Sequence, residues 1–251
     1  MLGHRTTAQP VQFHPIAEHV AGKNVRLLDA RRHTSSRESA CAVSSDQRYC
    51  AQITIAIINS VLDSTNLPST KSLCTVFLDR DGVVNRKLPE GKYVGSWNDF
   101  HLLPGVPGAI ARLNGAGLRV IVVSNQRGIA LGLYTTAEVE AIHSALQDLL
   151  ASQGAHIDRF YFCPHDKRKC NCRKPLPGMF EQAVADFPSI SVATSVMIGD
   201  SFSDIEFGRR LGMQTIFIES DPERQKPGLK QASALADKRF PSLAAAVDAL
   251  L

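Results

Sequence analysis

The chain has 251 residues, of which 44% are hydrophobic and 21% charged, a balance typical of a globular protein with one sizeable α/β core. The formal net charge of +4 is too small to indicate a basic stripe for nucleic acid, so we expect no nucleic-acid partner. The apolar stretch 51–63 is interrupted by polar residues and too short to cross a bilayer, and the N-terminus lacks the apolar centre of a secretion signal. We therefore expect a cytoplasmic protein with no membrane partner, and we leave its oligomeric state open.

The first part of the chain differs in composition from the rest. Residues 1–72 mix His, Arg, Ser and Thr without a sustained period and end in the polar stretch DSTNLPSTKS. We predict a poorly ordered or linker-like N-terminal extension over 1–72 and one catalytic domain over 73–251. A translation start near residue 70 is an alternative, since no methionine lies between Met1 and Met179.

From residue 74 onward, strand-like and helix-like patterns alternate. The apolar runs predict strands at 74–78, 118–123, 159–162, 195–199 and 214–218. Between and after them, periodic apolar residues predict helices at 104–117, 177–187, 203–212 and 242–251. A further helix is predicted to begin at the capping box formed by Thr135 and Glu138. This alternation indicates an α/β fold, a doubly wound parallel sheet with helices on both faces, whose ligands bind at the carboxyl ends of the strands.

Four polar stretches fall at this expected edge of the sheet. They are DRDG (79–82), SNQRG (124–128), CRKPLPG (172–178) and GDSFSD (199–204). Taken singly, each is as typical of a turn, a cap or a solvated loop as of a catalytic site. Their order after successive strands favours one shared site.

Together the four stretches resemble the signatures of the haloacid dehalogenase (HAD) superfamily of phosphotransferases. The matching residues are Asp79-x-Asp81-Gly82, then Ser124, then Lys174, and finally Asp200 with Asp204. The resemblance covers roughly residues 73–220. It implies a HAD-like fold and a Mg²⁺-dependent phosphomonoester hydrolase.

The chemistry of phosphoryl transfer suits these residue types. A carboxylate can accept the phosphoryl group as an aspartyl-phosphate, and we assign this nucleophile to Asp79. Asp81 suits the general acid and base, a role that needs a raised proton affinity, which neighbouring carboxylates would favour. The resemblance implies that Asp79, Asp200 and the backbone carbonyl of Asp81 bind Mg²⁺, with Asp204 orienting these ligands.

The remaining signature residues are predicted to bind the substrate. Ser124 and its neighbouring backbone amides would hold phosphate oxygens, and Lys174 would supply a compensating positive charge. We also assign substrate binding to Asn125 and Gln126.

A cysteine-rich loop lies just before the lysine. Cys163, His165, Cys170 and Cys172 fall within ten residues, which indicates a closed, structural Zn²⁺ site more than a chance group of free thiols. We expect residues 166–169 to form only the solvated tip of this loop. Since the loop ends at Lys174, the zinc would fix the backbone that presents the lysine.

The zinc loop restricts the resemblance to a smaller group within the HAD superfamily. With FLDRDGVVN and SNQRGIALG, it is similar to nearly capless phosphatases that act on D-glycero-D-manno-heptose 1,7-bisphosphate, and to the related histidinol-phosphate phosphatases. This resemblance implies that Arg173 recognises the substrate and that residues 85–101 form a flap. Where the heptose enzymes commonly have an arginine this chain has Leu131, and Arg127 or Lys92 could replace its charge. The short zinc loop is closer to the histidinol-phosphate form.

We expect heptose bisphosphate as the small phosphorylated metabolite, with histidinol phosphate as the alternative. Less expected are a polynucleotide 3′-phosphatase and a non-catalytic phosphate-binding module. In the flap, Trp97 is expected to pack and not to contact the substrate. His101 and His143 are expected at the surface or the edge of the core.

Overall fold

The computed structural model describes residues 72–219 and 228–251. The predicted N-terminal extension lies outside this range except for Ser72, so the domain boundary at 72/73 stays a prediction. In these two ranges, no helix combines the length and apolar character that a membrane span requires.

Six parallel strands form one sheet in the order β3-β2-β1-β4-β5-β6. They are β1 (Thr75–Leu78), β2 (Arg119–Asn125), β3 (Arg159–Cys163), β4 (Ser195–Gly199), β5 (Gln214–Ile218) and β6 (Lys238–Phe240). The chain runs outward from β1 to β3 and returns to place β4 on the other side of β1. The carboxyl ends of β1 and β4 therefore flank the crevice where such sheets bind ligands.

Seven α-helices accompany the sheet in the described residues. They are α1 (Val106–Gly115), α2 (Arg127–Ala130), α3 (Thr136–Ala151), α4 (Gly178–Asp186), α5 (Phe202–Leu211), α6 (Leu229–Leu235) and α7 (Leu243–Asp248). The five predicted strands and five predicted helices are confirmed with small shifts of their ends, and the capping box that opens α3 is formed. Sequence patterns missed α2, α6 and β6, because these elements are short and β6 is largely exposed.

Alternate residues of each strand pack against different helices. In β1, Val76 and Leu78 share a core with α1, α3 and α7, whereas Phe77 between them shares a second core with α4 and α5. The sheet is therefore covered on both faces, as a parallel sheet with continuous apolar strands requires. Both faces are closed, so the edge of the sheet at the carboxyl ends is left for chemistry.

Three side chains outside the signatures test the sequence predictions. Trp97 stacks on Phe100 with ring centroids 5.0 Å apart, which confirms its packing role. His101 is exposed, as expected. His143 is buried and stacks on Phe160 of β3 at 4.4 Å, so its predicted place at the surface or core edge is wrong. Its position in α3 matches the apolar stripe of that helix.

Candidate active site

The four polar stretches line one cleft at the carboxyl ends of the strands. The cleft has a volume of about 880 Å³. Its lining includes Asp79 and Asp81 after β1, Ser124 in β2, Lys174 before α4, and Asp200 with Asp204 after β4. Residues 87–94 of the predicted flap also line it. Asp79 and Asp204, which are 125 positions apart in sequence, therefore face one volume.

Lys174 joins the first and fourth signatures. Its Nζ lies 2.7 Å from Oδ1 of Asp79 and 2.7 Å from Oδ1 of Asp204, and it donates to the carbonyl of Val123 at 2.6 Å. Burial lowers the pKa of this lysine, but the two carboxylates outweigh it and the pKa is raised. The ammonium therefore stays charged beside Asp79.

Asp79, Asp200 and Asp204 form a carboxylate cluster with one oxygen from each within 4.8 Å of the others. Two buried lysines contact it, Lys174 and Lys87, the latter pairing with Asp200. The pKa of Asp79 is raised to about 7. Burial is the main cause and the other carboxylates add to it, although Lys174 acts in the opposite direction. Three buried carboxylates thus face two ammonium groups, and the donor set fits a divalent cation with oxygen preference such as Mg²⁺.

Close packing around the loops sets the positions of the fourth-signature carboxylates. Gly82 has φ of 111°, and a Cβ there would lie 2.1 Å from Oδ2 of Asp200. Only glycine satisfies both the turn and this close approach. Asp204 caps α5, since its Oδ2 accepts from the backbone N–H of Ser201 at 3.0 Å and from its hydroxyl at 2.6 Å.

Asp81 has a separate environment. The fully buried Arg80 binds it, with Nη2 at 3.1 Å from both carboxylate oxygens, and Asn85 donates to Oδ1 at 3.0 Å. Burial raises the pKa of Asp81, but Arg80, Asn85 and Gln126 outweigh it and the pKa is lowered. The prediction that the proton affinity of Asp81 is raised is therefore wrong. The guanidinium of Arg80, which lies between the two aspartates in sequence, is the largest cause of the lowered pKa.

Gln126 links Asp81 to Ser124. Its Nε2 donates to Oδ2 of Asp81 at 3.1 Å and to Oγ of Ser124 at 2.6 Å, and its Oε1 accepts from the hydroxyl of Tyr134 at 2.8 Å. Its backbone N–H donates to the carbonyl of Cys163 at 2.9 Å, so this amide is not aimed at a phosphate. Gln126 lines the cleft beside Ser124, and both side chains are 1% exposed.

Asn125 contacts the backbone that presents the lysine. Its Oδ1 accepts from the N–H of Lys174 at 3.0 Å, and its Nδ2 donates to the carbonyl of Lys174 at 3.2 Å. Nearby, Arg127 pairs with Asp166 at 2.6 Å. Asp166 therefore belongs to an ion pair with the first residue of α2, and the prediction that it is only a solvated loop tip is wrong.

The cysteine-rich loop brings its four predicted ligands together. Sγ of Cys163 lies 3.4 Å from Sγ of Cys170 and 3.8 Å from Nδ1 of His165, which lies 3.2 Å from Sγ of Cys172. A tetrahedron with Zn–S bonds of about 2.3 Å has edges of about 3.8 Å between sulfurs, so the group has the dimensions of a metal site. It is a Cys₃His cluster compatible with zinc.

The cations considered for substrate recognition also line the cleft. These are Arg173, Arg127 and Lys92. Nη1 of Arg173 is buried and has no hydrogen-bond acceptor among the described residues. Leu131, at the position of the missing arginine, is 44% exposed and is not among the residues that line this cleft.

Sequence reasoning missed Arg80, Lys87 and Tyr134. Arg80 carried a weak signal, since an arginine directly after a buried apolar strand needs a partner. Lys87 carried none, because its partner Asp200 lies 113 positions away. Tyr134 carried none either, because no sequence pattern marks its contact with Gln126, eight positions away.

Comparison with known proteins places this geometry in a family. Residues 171–246 match the HAD-hydrolase-like family model. The chain is 41% identical over 137 residues to D-glycero-alpha-D-manno-heptose-1,7-bisphosphate 7-phosphatase of Mycobacterium tuberculosis strain H37Rv, covering 54% of this chain and 72% of the relative. The chain belongs to this HAD-like phosphatase family.

Other members of the family support the assignment. The D-glycero-beta-D-manno-heptose-1,7-bisphosphate 7-phosphatase of Pseudomonas aeruginosa is 37% identical over 146 residues, which cover 58% of this chain and 80% of the relative. The crystal structure of D,D-heptose 1,7-bisphosphate phosphatase from B. bronchiseptica, complexed with magnesium and phosphate, is 32% identical with a TM-score of 0.64. The match covers 71% of this chain and 98% of that one. The fold is therefore HAD-like, and the chain is a phosphoric monoester hydrolase.

Proposed function

We propose that this phosphatase removes the 7-phosphate of D-glycero-D-manno-heptose 1,7-bisphosphate. The observation that carries the proposal is the contact of Lys174 with both Asp79 and Asp204 inside the cleft. This contact brings three of the four signatures within reach of one phosphoryl group. The names of the relatives support the substrate.

In the first step, a carboxylate oxygen of Asp79 attacks phosphorus and the bond to the leaving oxygen breaks, which gives an aspartyl-phosphate. Asp81 protonates the leaving alkoxide. Because Arg80 lowers the pKa of Asp81, the acid takes up a proton from solvent when the anionic phosphoryl group arrives and raises that pKa again. In the second step, Asp81 takes a proton from a water molecule, whose oxygen attacks phosphorus. The bond between phosphorus and the Asp79 carboxylate breaks, inorganic phosphate leaves, and Asp79 is regenerated.

Several groups would neutralise the transferred charge. Lys174 and Ser124 line the cleft and would contact phosphoryl oxygens, and Arg173 has a buried N–H that a substrate oxygen can accept from. Asn125 also lines the cleft as a substrate-binding candidate, and its two hydrogen bonds to the backbone of Lys174 support the lysine.

Two metals complete the proposal. Asp79, Asp200 and the backbone carbonyl of Asp81 would hold Mg²⁺, with Asp204 orienting the site. Mg²⁺, when bound, neutralises negative charge on the phosphoryl oxygens. Cys163, His165, Cys170 and Cys172 would hold a structural Zn²⁺.

A substrate panel tests the proposal. The purified chain is assayed with Mg²⁺ on both anomers of heptose bisphosphate, on histidinol phosphate and on a 3′-phosphorylated oligonucleotide. We expect the highest kcat/KM with one heptose anomer. A higher value with histidinol phosphate or with the oligonucleotide would replace the proposed substrate, and no turnover of any ester would leave the non-catalytic phosphate-binding module.

A further inference from the structure

Gln126 uses its full hydrogen-bonding capacity in the described structure. A carboxamide has two N–H donors and two oxygen lone pairs. The donors meet Asp81 at 3.1 Å and Ser124 at 2.6 Å, and the oxygen meets Tyr134 at 2.8 Å and Nη2 of Arg80 at 3.3 Å. No polar atom of this amide is left over to bind a substrate.

The partners also determine which way the amide points. Arginine only donates, whereas an ionised carboxylate only accepts. The oxygen of Gln126 must therefore face Arg80, and its NH₂ group must face Asp81. Ser124, next to the same NH₂ group, is then an acceptor from Gln126. A hydroxyl that accepts one hydrogen bond keeps its own proton to donate, and Ser124 lines the cleft.

The ring of Tyr134 is held by two glycines. A Cβ on Gly128 of α2 would lie 2.1 Å from the ring, and one on Gly95 of the flap would lie 2.9 Å from it. Both glycines therefore leave room for this ring, which is 7% exposed. The position of the hydroxyl relative to Gln126 is set by this packing.

We propose that Tyr134 and Gln126 are positioning residues, which orient the hydroxyl of Ser124 as a hydrogen-bond donor to the phosphoryl group. Tyr134 acts only through Gln126, and Gln126 acts through Ser124. This inference rests on the proposed function for its substrate, but the donor role applies to any phosphate in the cleft.

A double-mutant cycle tests whether Tyr134 acts through Gln126. Tyr134→Phe removes only the hydroxyl and keeps the ring between its glycines. We expect kcat/KM to fall about 5-fold, the size of one lost hydrogen bond. In a Gln126→Leu background, the same change is expected to alter kcat/KM by less than about 1.5-fold. Equal factors in both backgrounds would mean that Tyr134 acts by packing, and would overturn the proposal.

Tyr161→Phe is the matched control. Tyr161 is also 7% exposed and its hydroxyl also donates at 2.8 Å, but to Asp186 and away from the cleft residues. We expect its kcat/KM to stay within about 2-fold of the wild type. A fall equal to that of Tyr134→Phe would show that any buried tyrosine hydroxyl has this effect, and the proposal would fail.

Binding of inorganic phosphate separates this inference from the substrate. The dissociation constant, measured by calorimetry with Mg²⁺, is expected to rise about 5-fold in Tyr134→Phe, and not to rise further when that change is made in Ser124→Ala. If the wild type hydrolyses no ester, the proposed function fails while this cycle still decides the inference. If Gln126→Leu does not fold, the cycle with Ser124→Ala replaces it. A roughly 5-fold effect of Tyr134→Phe on the phosphate dissociation constant in the Ser124→Ala background would overturn the proposal.

Discussion

Lys174 contacts the carboxylate cluster and follows the last ligand of the Cys₃His cluster by two residues, yet the two clusters differ in the chemistry of their side chains. In the carboxylate cluster, three buried carboxylates meet two lysines, and the pKa of Asp79 is raised to about 7. In the Cys₃His cluster, four soft ligands within ten residues form a closed group. From this difference we infer that the carboxylate cluster binds groups whose charge changes during phosphoryl transfer, whereas the Cys₃His cluster holds a loop in place.

The largest effect should follow from changing the carboxylate cluster alone. Asp79→Asn removes the nucleophile, so we expect kcat to fall at least about 10⁴-fold while zinc content stays at about one per chain. The measurements are steady-state kinetics and elemental analysis. Asp99→Asn, on an exposed aspartate of the flap, is the control and should retain full activity. Turnover in Asp79→Asn within tenfold of the wild type would contradict the assignment.

Breaking the Cys₃His cluster should lower stability first and activity second. Cys172→Ser removes one ligand, so we expect zinc content well below one per chain and a Tm lower by about 5 °C or more. Activity should fall as well, since the loop presents Lys174. Cys74→Ser, outside the cluster, should retain zinc. If the Cys172→Ser protein lacked zinc but kept the wild-type Tm and kcat, the cluster would be needed neither for stability nor for catalysis.

A smaller change tests the connection between the two clusters. Asn125→Ala removes two hydrogen bonds to the backbone of Lys174, and we expect kcat to fall about 10-fold with zinc retained. Asn171→Ala is the matched control, because Asn171 is exposed in the same loop and its side chain donates to Glu181 at 3.0 Å, away from Lys174. Equal kcat values for the two variants would show that the lysine loop needs no support from β2.

The smallest effect concerns His143, which lies against the strand that leads into the Cys₃His loop. Burial, and then Arg80, lowers its pKa to about 3, whereas the ordinary value is about 6.5. Between these values the unfolded chain binds the extra proton, so the free energy of unfolding rises with pH over about 3 to 6.5. At pH 6 the loss is about 1 kcal/mol relative to neutral pH.

Chemical denaturation of His143→Phe measures this effect. Phenylalanine keeps the stacking on Phe160 but does not titrate, so the difference in unfolding free energy between variant and wild type should grow as pH falls from 7 to 5. The exposed His101 provides the control variant, His101→Phe. A difference that is independent of pH would mean that His143 is not kept neutral by burial.

Much of the fold and of the site could be predicted from the sequence. The parallel sheet followed from apolar runs that alternate with amphipathic helices, and the Cys₃His cluster followed from short-range spacing. The carboxylate cluster followed from the ends of strands together with the resemblance to the HAD superfamily, because its members lie up to 125 positions apart. The short α6 and β6 were missed because they bury little apolar surface.

The sequence by itself determined which side chains are available for phosphoryl transfer and for metal binding, because residue type and spacing set their chemistry. Only the tertiary structure decided their working states: the low pKa of Asp81 depends on Arg80, Asn85 and Gln126, and Gln126 in turn depends on Tyr134. Proton affinity and hydrogen-bond direction are set by neighbours and burial, and those neighbours are brought together by folding and not by order along the chain.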